Sequence, residues 1–157
     1  MDFLVWLSQS SFAESIGKSV YLYPIVLALH TVGLGFLVGT SAAIDFRILG
    51  IAPGLPLAAM ERLFTVIYFG FWLNVTSGIL LFVASADTMG ANWLYWTKML
   101  LVLAGAGTVR LIRTRVFVDP HILRANPLPA EARNLAWASL TVWALAITAG
   151  RFTAYLG

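Results

Sequence analysis

The sequence predicts an all-α integral membrane four-helix bundle with a short N-terminal interfacial helix. Three observations predict it. The 157-residue chain is 60% hydrophobic and 11% charged, whereas a soluble domain carries about 25% charged residues, and its mean hydropathy is +0.85. Its apolar residues gather into four runs, each long enough for a hydrocarbon core roughly 30 Å thick. Most of its arginines flank those runs instead of interrupting them.

The same composition excludes several classes. A net charge of +3 without a basic run interleaved with aromatics does not suggest nucleic acid. Without cysteine there is no disulfide framework, no thiolate metal site and no covalent c-type haem attachment. Paired carboxylates are absent from the apolar runs, as are a nucleophile elbow, a phosphate loop and a zinc-protease helix, so hydrolytic chemistry is not expected.

Residues 1–19 read as interfacial. Phe3, Leu4, Trp6 and Leu7 make a short apolar face, and Trp6 suits a membrane–water boundary. The segment lacks the basic start and long apolar core of a signal peptide, so no cleavage is expected. Ser11 and Glu14 have capping-box spacing, which places a helix start near Phe12.

The first span is expected over residues 20–44. Pro24 falls early, where a missing amide proton costs least. Gly35 and Gly39 form a small-residue pair four apart, and Gly33 adds a third; such residues let a helix or a flat ligand approach the backbone. Asp45 and Arg47 mark the exit, followed by a turn-rich loop of Gly50, Pro53, Gly54 and Pro56. The second span, residues 60–84, opens on Glu61 and Arg62. It carries a small and polar stripe of Gly70, Asn74 and Gly78, with Ser77 beside it. After a polar turn at 87–92, the third span, residues 93–111, begins with the belt aromatics Trp93, Tyr95 and Trp96. Lys98 lies about one turn inside it, and Arg110, Arg113 and Arg115 end it. A loop containing Pro120, His121, Pro127 and Pro129 leads to the fourth span, residues 132–155, on which Thr141, Ala144, Thr148 and Arg151 share a face.

Four spans place the loops after the first and third on one side. Arg47, Arg62, Arg110, Arg113, Arg115, Arg124 and Arg133 gather there, against Lys18, Lys98 and Arg151 on the other. The positive-inside rule then puts both loops in the cytoplasm and both termini in the periplasm of a bacterial inner membrane.

At about 1.5 Å per residue, His30 and Asn74 both lie roughly 15 Å from the outer surface, and Lys98 and Arg151 nearer to it. One polar residue from each span therefore falls in the outer half of the bilayer. An intramembrane histidine is a functional-site candidate because its imidazole must find a partner. Two readings of His30 stand. It is an axial ligand of haem b, with Gly33 giving room to the porphyrin edge, or a structural histidine bonded to Asn74 or a carbonyl. Lys98 is a second iron ligand, a cation for a haem propionate or quinone oxygen, or a snorkelling lysine. Arg151 has the same choice between a propionate and the headgroups, and Asn74 between orienting His30 and gluing helices. His121, the other histidine, reads as a solvated loop residue.

Three groups of residues carry a family resemblance: Leu29, His30 and Gly33; Asp45, Arg47, Leu49 and Gly50; Trp96, Thr97 and Lys98 with Leu100 and Leu101. On these, from Tyr21 to Arg113, the chain resembles an uncharacterised family of small bacterial four-helix membrane proteins. More distantly it is similar to the membrane domain of the copper-resistance protein CopD and to the HemJ-type four-helix protoporphyrinogen oxidase. The second similarity implies haem b, with His30 and Lys98 at the places of the histidine and lysine that matter in that oxidase; Met60, Glu61 and Arg62 match its second-helix start. That family's further histidines have no counterpart in Gly107 to Arg113.

The expectation is a haem b-binding redox or electron-transfer protein, an oxidoreductase of the porphyrinogen-oxidising kind if an enzyme, working with a quinone or periplasmic partner. The alternative is a cofactor-free accessory subunit of a larger membrane complex, or a copper-handling protein, although Met1, Met60, Met89 and Met99 form no ladder of soft ligands. The small-residue faces also suit a homo-oligomer.

Overall fold

In this computed structural model, which describes residues 2–125 and 127–156, every regular element is a helix. Met1, Asn126 and Gly157 lie outside the described residues. The order is α1 (Asp2–Ser8), α2 (Ser11–Gly17), α3 (Leu22–Leu34), a π-helical turn (Gly35–Gly39), α4 (Thr40–Ile48), a 3₁₀ lead-in (Leu57–Arg62), α5 (Leu63–Ala84), α6 (Ala86–Ala91), α7 (Trp93–Val116), α8 (Pro120–Arg124) and α9 (Ala130–Leu156). Leu22–Ile48, Leu57–Ala84 and Ala130–Thr153 are long and apolar enough to cross a membrane. These are the helices of a multi-span membrane bundle. The long helix α7 does not meet the same measure, because it carries Lys98, Arg110, Arg113 and Arg115 within its length.

The N-terminal segment differs from the single helix expected. It forms two short helices, and the cap of the second is Ser10, not Ser11. Ser10 is extended (φ −65°, ψ 147°), which lets its hydroxyl accept the Ala13 amide at 3.2 Å. Glu14 is left to pair with Lys18 at 2.7 Å. The two helices fold back on the bundle end: α1 packs on α6, and α2 on α3 and α5.

Leu22–Ile48 is one continuous rod, longer than the first span expected, with the π turn in its middle. Its inward stripe runs Val26, Gly33, Leu37, Ser41, Ile44 and Ile48, and the spacing widens to four on either side of Leu37, where the helix is wound more loosely. The rod ends in a Schellman cap. Gly50 at φ 91° lets Ile51 N–H reach the Phe46 carbonyl at 3.0 Å and its own N–H the Arg47 carbonyl at 3.1 Å.

Asp45 corrects the sequence reading. It is not an exit residue but is fully buried where α4 packs on α9. The cause lies on α9, whose inward positions there, Ala132, Ala136 and Ser139, are too small to keep the helices apart. Gly35 and Gly39 are also reassigned. A Cβ on either would meet nothing within 4 Å, so this pair makes no close helix contact.

The α3–α5 crossing is made instead by Gly33 and Gly70. A Cβ on Gly33 would stand 2.8 Å from the Asn74 amide nitrogen, and one on Gly70 would stand 2.6 Å from that of Leu37. Across the bundle, α9 joins α4 to α7, with Trp143 lying on Gly105 of α7. By contrast the backbones of α5 and α7 stay apart, bridged by side chains such as Phe82 on Tyr95, and cavities lie between them. Arg110, Arg113 and Arg115 lie within α7, which continues to Val116, instead of terminating it.

Candidate functional site

The close crossing at Gly33 and Gly70 sets His30 against α5 one turn away. His30 Nδ1 lies 3.0 Å from the Asn74 carbonyl and 3.1 Å from the Ser77 hydroxyl oxygen. The carbonyl can only accept. The Ser77 hydroxyl already donates to the Leu73 carbonyl at 2.6 Å, so its oxygen accepts here as well. Nδ1 must therefore carry the proton, and in a neutral ring Nε2 is the bare nitrogen. Asn74 completes the clamp by donating its side-chain amide to the His30 carbonyl at 3.0 Å, while its reach to Nε2 stops at 3.5 Å.

His30 faces a cavity of about 380 Å³, and Lys98 and Tyr95 of α7 and Gly150 and Thr153 of α9 form other parts of its wall. A smaller cavity of about 130 Å³ shares His30, Gly78, Tyr95 and Lys98 and adds Asn74 and Met99. Two glycines shape this space. A Cβ at Gly78 would press to 3.1 Å from His30 Cε1, and one at Gly150 would lie 3.5 Å from Lys98 Cδ. Among the described residues the Lys98 ammonium has no carboxylate partner; it stands 6.0 Å from the Tyr95 ring centroid.

His30, Asn74 and Lys98 thus come together from three helices. Arg151 does not join them. It is exposed on the face it shares with Thr141, Ala144 and Thr148, about 100° around α9 from Gly150, its neighbour at the cavity. Gly33 is occupied by the helix crossing instead of opening space beside a ligand. His121 sits exposed on α8, its amide bonded to Asp119. Gly150 and Met89 are site residues that sequence reasoning did not place, whereas Ser77 was read beside the small and polar stripe without a role at His30. A glycine beside an arginine near a helix end was the available signal for Gly150; Met89 carried none, because α6 read as a turn.

No family model matches this chain, and comparison with curated proteins and with solved structures finds no match either. The site is therefore argued on its own chemistry.

The hydrogen bonds of His30 have the pattern of a metal-ligating imidazole. Metal-ligating histidines usually donate their second ring N–H to a carbonyl or carboxylate, which fixes the tautomer and raises ligand basicity; His30 and the Asn74 carbonyl have that relation. The larger cavity lies in the range that takes cofactor-sized molecules. No group of three or more His, Asp or Glu side chains able to hold a bare metal ion occurs among the described residues, so the arrangement is not that of an all-protein metal cage.

Proposed function

We propose that the chain is a membrane-embedded haem b-binding redox protein. The observation that supports this reading is the clamped imidazole, with Nδ1–H committed to the Asn74 carbonyl and Nε2 the unprotonated nitrogen of a ring that lines a cavity together with Lys98. In this proposal His30 is the axial ligand, and Lys98 is either the second ligand or the cation that holds a propionate. Bound haem would supply one-electron chemistry, with a quinone or a periplasmic protein as the exchange partner; a porphyrinogen-oxidising activity is the enzymatic form of the same proposal. Asn74 and Ser77 hold the ring in one tautomer, and Gly78 leaves it room.

The proposal includes four spans. At 24 residues α7 is about 36 Å long, enough to cross, and its arginines lie in its last turns, where they reach the interface. The excess of arginine at that end of the bundle favours a bacterial inner membrane orientation with both termini periplasmic.

One observation favours a second reading. Met89 borders the larger cavity and Met99 the smaller, both beside His30, and an imidazole with thioethers suits copper(I). A pyridine haemochrome assay and a copper determination on protein purified from haem-replete cells separate the two. About one b-type haem per chain supports the first reading. Colourless protein with stoichiometric copper replaces it with the second, and colourless, metal-free protein leaves an accessory subunit.

A further inference from the structure

Away from His30, towards the arginine-rich end, a second cleft lies between α5 and α7. There it opens into a cavity of about 400 Å³ lined by Glu61, Arg62, Thr65, Tyr68 and Arg113 among others. Arg113 is held in place: its Nη1 donates to the Tyr68 hydroxyl at 2.9 Å, and its guanidinium carbon stands 5.3 Å from the Tyr68 ring centroid and 5.6 Å from that of Phe64. This aromatic shelf orients the cation. Among the described residues neither Arg113 nor Arg62 is ion-paired with Glu61 or any other carboxylate.

Tyr68 also borders the next space along the cleft, an apolar groove of about 250 Å³. Ile67, Phe71 and Trp72 of α5 line one side of it and Ala106 and Val109 of α7 the other. From Arg113 back to Ala106, α7 rises about 10 Å. That is about two-thirds of one leaflet of a hydrocarbon core roughly 30 Å thick. An unpaired, oriented guanidinium thus stands at the headgroup end of an apolar groove, with Arg62 lining the same cavity.

We infer that this cleft binds an anionic phospholipid, its phosphate on Arg113 and Arg62 and one acyl chain along Phe71, Trp72 and Ala106. Charge complementarity selects the headgroup, and the apolar groove that adjoins the cavity at Tyr68 selects a phosphate that carries a chain over a free one. The inference is independent of any cofactor at His30.

The test is native mass spectrometry of the detergent-purified full chain titrated with phosphatidylglycerol, phosphatidylcholine or inorganic phosphate. Phosphatidylglycerol should be retained about tenfold more strongly than phosphatidylcholine, as a charge-assisted contact implies, and inorganic phosphate should neither bind nor displace it. Arg113→Gln should remove the preference and Arg113→Lys should keep part of it. Ala106→Phe, which plugs the groove without touching a charge, should weaken both lipids severalfold. Arg115→Gln, outside the cleft, should change nothing. Equal retention of the two lipids by the parent chain would overturn the inference, as would a preference that survives Arg113→Gln. Displacement by inorganic phosphate would overturn it too, by showing a free-anion site.

Discussion

Two buried polar groups occupy the two halves of this bundle, and they are built in opposite ways. In the half that carries α1 and α2, called the outer group, His30, Asn74 and Ser77 bond to one another and to backbone carbonyls across α3 and α5, with the His30 ring lining a cavity. In the opposite half, called the inner group, Asp45, Ser139 and Trp143 are sealed between α4, α7 and α9. Both Asp45 oxygens, the Ser139 hydroxyl and the Trp143 indole nitrogen have no partner there among the described residues. Burial is deeper at the inner group, yet the outer group has the form of a site. The difference teaches that depth of burial alone does not single out a candidate site: the His30 group is set apart by hydrogen-bonded order on one side and a cavity on the other.

The contrast can be broken most severely at the crossing that supports the outer group. Gly70→Leu puts a Cβ against the Leu37 and Gly33 backbone, which cannot move aside as a side chain can, and should cost about 3 kcal/mol by denaturation in micelles. Gly107→Leu, where a Cβ meets nothing, should be close to neutral. Asn74→Leu removes the side-chain donor to the His30 carbonyl and should cost about 1–2 kcal/mol, while the ring, held through Nδ1 by the backbone carbonyl of residue 74 and by Ser77, should keep its tautomer by NMR of the ring nitrogens.

The inner group should respond with the opposite sign. Asp45→Asn keeps the shape and removes a group whose ionisation is costly in this burial, so stability should rise by about 1 kcal/mol at alkaline pH. A loss of about 2 kcal/mol or more would make the carboxylate a bonded group and erase the contrast. The smallest effect is expected at Arg115→Gln. Its pair with Glu131 is 2.6 Å long, but the side chains are 60% and 66% exposed, and the change should shift stability by less than about 1 kcal/mol in thermal melts.

The outer group was legible in the sequence because it rests on regular geometry. Rise per residue equates the depths of His30 and Asn74, and the four-residue spacing of Gly70, Asn74 and Gly78 forces them onto one face. Lys98 followed from the same arithmetic, whereas Arg151 did not, since depth says nothing of azimuth and one residue turns a helix by about 100°. The inner group was not legible. An aspartate three residues from a helix end reads as an exit, and its burial is decided by the small residues Ala136 and Ser139 on a helix far along the chain. The π turn was equally hidden: Gly35 and Gly39 have the spacing of a packing motif but bound a loosely wound segment.

The central claim is that His30 Nε2 is the nitrogen presented to a haem. The most direct measurement is the reduced-minus-oxidised optical spectrum of purified His30→Gly with and without added imidazole, beside the parent chain. The account predicts a b-type spectrum in the parent, its loss or displacement in His30→Gly while the protein stays folded and monodisperse, and its return with imidazole. A parent chain purified colourless from haem-replete cells would contradict the account, as would a b-type spectrum that His30→Gly leaves unchanged.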